Sequence, residues 1–212
     1  MKLNFTDYNS RFSRFVTRIS ELVLLNFVFI LTCIPVFTIG ASVTALYSIT
    51  LKMMRGEEGY IIRGYFKDFI RNFKQATCFW FMALLLYFLL YIIYTAAAVN
   101  GGLLFQIYIV VTWALGILYS MYFLFAFPLA ATFQNTMRGI ARNTFSMIIA
   151  HFPMVLTAYL TVMVPLFVSF GIDTKIMQYA LLFWILIGFS AVAFWSSFYL
   201  NRIFIRYMDR ED

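Results

Sequence analysis

Charge is the first thing this chain is short of. Of its 212 residues only 12% are Asp, Glu, Lys or Arg, against about a quarter in an ordinary soluble domain. A water-soluble fold of this size could not hide the 63% of residues that are hydrophobic, because a chain of this length leaves much of its surface exposed. Histidine occurs once, at His151, so an HExxH metal pair is excluded. No GxSxG elbow and no GxxxxGK[ST] phosphate loop is present. Catalytic, cofactor-binding and metal-binding residues are therefore not assigned, and the chain is not expected to be an enzyme. Two cysteines, Cys33 and Cys78, lie in or beside apolar segments and are not spaced as a CxxC pair, so two free thiols are expected. A cleavable leader is not expected either. The apolar stretch after Ser20 is longer than a signal-peptide core and lacks a small-residue cleavage site.

The few charges are also unevenly spread. None falls between Glu21 and Lys52, between Lys74 and Arg138, between Arg142 and Asp173, or between Lys175 and Arg202. A membrane-spanning helix needs roughly 20 mostly apolar residues. The second gap holds two spans with a turn at Asn100-Gly101-Gly102, and the third and fourth hold one each, joined at residues 171–175. The first gap is too long for one straight span and is interrupted by Cys33-Ile34-Pro35-Val36-Phe37-Thr38-Ile39-Gly40. Pro35 removes a backbone donor and Gly40 frees the backbone, so a structural break is expected there. The predicted fold is all-α: a polytopic transmembrane helical bundle of five or six membrane segments, the first broken, with amphipathic cytoplasmic helices. The chain is a single membrane domain. It divides into an interfacial helix (1–20), a broken or re-entrant pair (22–51), a basic amphipathic helix (52–75), a hairpin (76–133), a loop (134–143), a second hairpin (144–201) and a tail (202–212).

Basic residues mark the segment ends. All 16 Lys and Arg except Lys175 lie in the N-terminal segment, 52–74, 134–143 or the tail. This is the positive-inside pattern; it assigns both termini to the cytoplasm and argues against nucleic acid as the reason for the net charge of +7. Arg63, Lys67, Arg71 and Lys74 form a stripe at helical spacing beside an apolar face of Ile62, Phe66, Phe69 and Phe73. Such a helix suits a cytoplasmic partner or an anionic lipid surface equally. The candidate partner-binding residues are Arg55, Gly56, Glu57, Glu58, Arg63, Phe66, Lys67, Phe69, Arg71 and Phe73.

No ionisable residue is expected at mid-membrane, where an ion-driven transporter keeps one. Glu21, three residues after Arg18, reads as an interfacial ion pair. Asn26 is the main polar side chain of the first segment and is placed to hydrogen-bond between helices.

The run Leu25-Asn26-Phe27, Ile34 to Ser42 and Thr44-Ala45-Leu46-Tyr47 resembles the opening of the YesL family of bacterial membrane proteins. So do Arg55-Gly56-Glu57-Glu58-Gly59-Tyr60, Phe66, Phe69 and Asn72-Phe73-Lys74-Gln75-Ala76. The resemblance implies a multi-pass protein of a Gram-positive plasma membrane, with no known molecular activity. Genes of this family tend to lie beside carbohydrate ABC importers and their two-component regulators, an association that does not itself give function. The expectation is an accessory protein of carbohydrate uptake, a partner of ABC importer permease subunits. The alternatives are a signalling accessory of a histidine kinase and a small independent transporter.

Overall fold

The computed structural model describes residues 11–57, 59–100, 102–133, 135–171 and 174–208, and no strand occurs among them. Among the described residues eight α-helices follow one another: α1 (Arg11–Cys33), α2 (Ile39–Arg55), α3 (Ile61–Asn100), α4 (Gly102–Thr132), α5 (Met137–Ala150), α6 (Phe152–Gly171), α7 (Thr174–Phe183) and α8 (Phe189–Met208). A turn of 3₁₀-helix (Val36–Thr38) precedes α2, and five residues of π-helix (Trp184–Gly188) join α7 to α8. Six stretches of the described residues are long and apolar enough to cross a membrane: 12–33, 36–55, 61–95, 106–132, 152–171 and 177–208. The surface is apolar, with Phe12, Phe15, Leu31, Trp113, Phe167, Tyr179 and Trp195 all well exposed. Meanwhile Asn26, Ser42, Thr44, Ser48, Thr50, Asp68, Ser190, Ser196 and Ser197 are buried. Polar groups inside and hydrocarbon outside is the arrangement a lipid solvent favours. The chain is a multi-pass all-α membrane protein.

The centre of the bundle is α2. Of its most apolar stretch 72% is buried, against 17–33% for the other spans, and it packs on α3, α8, α4 and α1. Its composition permits this, because Gly40, Ala41, Ser42, Thr44, Ala45 and Ser48 let neighbouring backbones come close. Ser42 and Thr44 return their hydroxyls to the carbonyls of Thr38 (3.1 Å) and Gly40 (2.9 Å). Tyr47 and Thr50 reach α8, with oxygen distances of 3.1 Å to Ser196 and 2.8 Å to Ser197, and Thr50 also returns its hydroxyl to the Leu46 carbonyl at 3.1 Å.

The break in the first charge-free stretch is real, but its parts differ from expectation. Pro35 stops α1 at Cys33, since it lacks a donor and drives Ile34 away from helical angles. The Thr38 hydroxyl donates to the carbonyls of Thr32 (2.5 Å) and Pro35 (2.6 Å), satisfying acceptors that the helix end leaves open. Gly40 is not part of the break. It sits inside α2 at the crossing with α3, where a β-carbon would strike the Ala76 carbonyl oxygen and lie 2.7 Å from Trp80 Cβ. Its smallness, not its freedom, is what the fold uses.

Segment boundaries need four corrections. Residues 11–20 are the first turns of α1, continuous with the span, so they are not a separate interfacial helix; residues 1–10 of that expected helix lie outside the described residues. The basic helix does not end at 75. It starts at Ile61 and continues through the next span as one 40-residue element, because Tyr65, Asp68, Asn72, Ala76, Phe79 and Ala83 keep one buried face at three- and four-residue spacing. The 134–143 loop is mostly helix. The Thr136 side chain caps α5 by accepting from the Gly139 N–H at 3.2 Å, and the span expected from 144 is interrupted at His151, ahead of Pro153. Residues 202–208 of the expected tail complete α8, with Ile203 and Phe204 fully buried; residues 209–212 lie outside the described residues, as do Glu58, Gly101 and Gln134.

Candidate functional site: a buried carboxylate and the outer face of α3

At the end of α2, the chain reverses through Gly56, whose φ of 70° is the left-handed conformation that glycine accepts without strain. The Glu57 N–H closes the helix on the Lys52 carbonyl at 3.0 Å. The reversal lays the start of α3 against the end of α2 and brings Asp68 to Ser48 and Lys52. Ser48 Oγ donates to Asp68 Oδ2 at 2.6 Å, and Lys52 Nζ donates to the same oxygen at 2.5 Å. An Arg71 guanidinium nitrogen lies 3.1 Å from Oδ1, an ion contact whose geometry is not that of a hydrogen bond. Asp68 is 1% exposed. An unpaired carboxylate there would be very costly; two cations and a hydroxyl compensate it, and both cations keep one side in solvent.

Sequence reasoning missed Asp68 because it reads 52–75 as an amphipathic helix through its basic stripe and aromatic face alone. A signal was present: Asp68 shares a helical face with Tyr65 and Asn72, opposite the exposed Arg63, Lys67 and Lys74. An acid on the apolar side of an amphipathic helix is a buried charge in waiting. Nearby, the Tyr65 hydroxyl lies 2.6 Å from Thr32 Oγ1 and donates to the Ser42 carbonyl at 3.3 Å, tying α1, α2 and α3 together.

The candidate partner-binding residues divide in two. Arg63, Phe66, Lys67 and Arg71 are exposed on the outer face of α3, together with Tyr60, Ile62, Ile70 and Lys74. Phe69 and Phe73 are not: they are half-buried, Phe69 stacking on Tyr65 and Phe73 packing beside Phe69. Arg55 is largely buried. It meets Met208 Sδ at 3.3 Å and Glu57 at 3.8 Å, so it joins the α2 end to the α8 end. Gly56 makes the reversal, Glu57 is exposed beside it, and Glu58 lies outside the described residues.

A second polar node lies deeper. Asn26 Nδ2 donates to the carbonyls of Trp184 (3.0 Å) and Ile185 (2.8 Å), and its Oδ1 accepts from the Ser190 N–H at 3.1 Å. The Ser190 hydroxyl donates to the Leu22 carbonyl at 2.7 Å. These are groups that the π-helix takes out of the regular ladder, so one amide from α1 satisfies the irregular backbone where lipid could not. The expected hydrogen bond of Asn26 between helices is present. The expected Arg18–Glu21 pair is present at 3.3 Å, both thiols are free, and His151 Nε2 lies 3.2 Å from the Tyr207 hydroxyl, within the packing of α8.

Asn26, the Asp68 cluster and the outer face of α3 lie in one stretch of sequence, while the partners of Asn26 at 184–190 do not. Residues 22–94 match a family model described as a protein of unknown function, DUF624. The matched segment runs from Leu22 in α1 through α2 and most of α3. It therefore contains Asn26, the Pro35 break, Gly40, the Asp68 cluster and the exposed basic face, while α4 to α8 lie beyond it. No curated protein and no solved structure matches the chain.

Proposed function

We propose that this protein is a non-catalytic accessory subunit of a carbohydrate importer of the bacterial plasma membrane, docking on a permease through the outer face of α3. The observation that carries the docking reading is the mixed character of that face. Tyr60, Ile62, Phe66 and Ile70 are 81%, 43%, 43% and 72% exposed among Arg63, Lys67, Arg71 and Lys74. A helix that only met water would not present so many large apolar side chains. One that only met hydrocarbon would not carry four cations. Protein interfaces favour aromatic and arginine side chains over lysine and acids. The face is also stiffly held, because Asp68 fixes α3 to α2 directly behind it, and rigid elements make better docking surfaces than loops.

The link to carbohydrate uptake comes from the YesL resemblance, and so does the plasma membrane. The cytoplasmic placement of this face and of both termini follows from the distribution of basic residues. The tests use exposed positions, of which Phe66 makes an edge contact with the Tyr65 ring at 5.8 Å and Ile70 is 72% exposed. Phe66→Ser with Ile70→Ser should leave folding intact and sharply reduce recovery of permease subunits with the tagged protein from native membranes. Undiminished recovery of the permease would sink the docking reading. Recovery of a histidine kinase in its place would move the assignment to the signalling alternative.

A further inference from the structure

Behind the reversal between α2 and α3 lies a cavity of about 270 Å³, bounded by Lys52, Glu57, Tyr60, Arg63 and Lys67, with Gly59 and Gly64 leaving parts of its wall bare. Its charges are not all paired among the described residues. Lys52 is matched by Asp68 at 2.5 Å and Glu57 by Arg55 at 3.8 Å. Arg71, just outside, is also matched by Asp68. Arg63 and Lys67 face the cavity with no acidic partner within 4 Å among the described residues; Arg63 has only the Tyr60 ring, 5.7 Å from its guanidinium carbon. Two cations one helical turn apart thus share a cavity in which, among the described residues, no carboxylate lies within 4 Å of either, although Glu57 also lines it. The cavity lies at the first turn of α3, where the leading amide N–H groups have no acceptor in their own helix and favour a negative group.

We propose that this cavity binds a phosphate group, held by Arg63 and Lys67 with Tyr60 at its rim. Guanidinium donors match the oxygen geometry of a phosphate, and an ammonium adds a point charge. The volume admits a phosphate ester with ordered water, at about 30 Å³ per water. A phosphodiester headgroup of an anionic lipid and a soluble phosphate monoester share this chemistry. Bound phosphate would bridge the α2–α3 reversal to the first turns of α3 and brace the face that carries the proposed docking. The site does not depend on that docking, since its ligand is sought without any partner present.

The test uses the purified full chain in a neutral detergent, read by binding isotherm and by thermal unfolding. The probes are short-chain phosphatidylglycerol, phosphatidylcholine of the same chain length, and glycerol 3-phosphate. Phosphatidylglycerol or glycerol 3-phosphate should bind and raise the unfolding midpoint, while phosphatidylcholine should not. Arg63→Gln with Lys67→Gln should weaken binding at least tenfold; both side chains are exposed, with no ion pair among the described residues, so the fold should persist. Arg138→Gln with Arg142→Gln removes the same charge elsewhere and should leave binding within twofold. Saturable binding of glycerol 3-phosphate identifies a soluble ester as the ligand, whereas binding of the lipid alone identifies a headgroup. The proposal is overturned if neither phosphate binds, if phosphatidylcholine binds equally, or if the two double variants lose binding to the same extent.

Discussion

Asp68 is the residue on which the most local structure converges. It ties Ser48, Lys52 and Arg71 to one buried carboxylate, and each of those groups has its own reason to be where it is only if the carboxylate is charged. Replacing one partner of a buried ion pair strands the other, which costs on the order of 3 kcal/mol. Asp68→Asn is therefore expected to lower the thermal unfolding midpoint in detergent markedly. Adding Lys52→Met to that variant should restore part of the loss, because the stranded ammonium is gone. A fully stable Asp68→Asn protein would mean that the cluster is solvated and contributes little. Gly40 argues the same way at one atom's scale, since α3 can cross α2 where it does only because position 40 has no side chain.

Among the elements, the junction of α7 and α8 is where the chain departs most from regular helix. Five residues of π-helix inside an apolar span leave carbonyl and amide groups that a lipid solvent cannot satisfy. Asn26, more than 150 residues away in sequence, does so with three hydrogen bonds. Interhelical polar bonds in membranes are worth about 0.6 kcal/mol each on average, so Asn26→Ala should cost about 1–2 kcal/mol. It should also speed amide hydrogen exchange at 184–190 while leaving α4 unchanged. Exchange that stays slow at those residues would show that the π-helix is held by the packing of Trp184, Phe189 and Phe29 instead. The length of α3 is the other element-scale fact. Its 40 residues extend about 60 Å, roughly twice the hydrocarbon thickness, so the charged first third and the apolar remainder occupy different media while remaining one rod.

At the scale of the whole molecule, if all six stretches of spanning length cross, the Pro35 break is expected on the opposite side of the membrane from the Gly56 reversal. With Cys33 and Cys78 first replaced by Ser, a single cysteine at Val36 should react with an impermeant reagent added outside intact cells. One at Glu57 should react only after the membrane is opened. Both positions are exposed, unlike Thr38, whose side chain is buried. Labelling of both from the same side would mean that 36–55 re-enters and does not cross.

What the sequence by itself determined is the solvent and, to within one, the number of membrane segments. Charge-free stretches of spanning length, bounded by Arg and Lys, depend only on the free energy of each residue in lipid or water, which is a local property. The α1–α2 break was legible for the same reason, since Pro35 acts on its own backbone. The continuity of α3 was not, because a charged run looks like the end of a membrane segment until its buried face is followed from Tyr65 to Ala83. The role of Asp68, the closeness demanded at Gly40 and the bond from Asn26 to the π-helix were decided only by tertiary structure. Each depends on which distant group arrives opposite a given side chain, and that juxtaposition is a property of the packed bundle, not of any stretch of the chain.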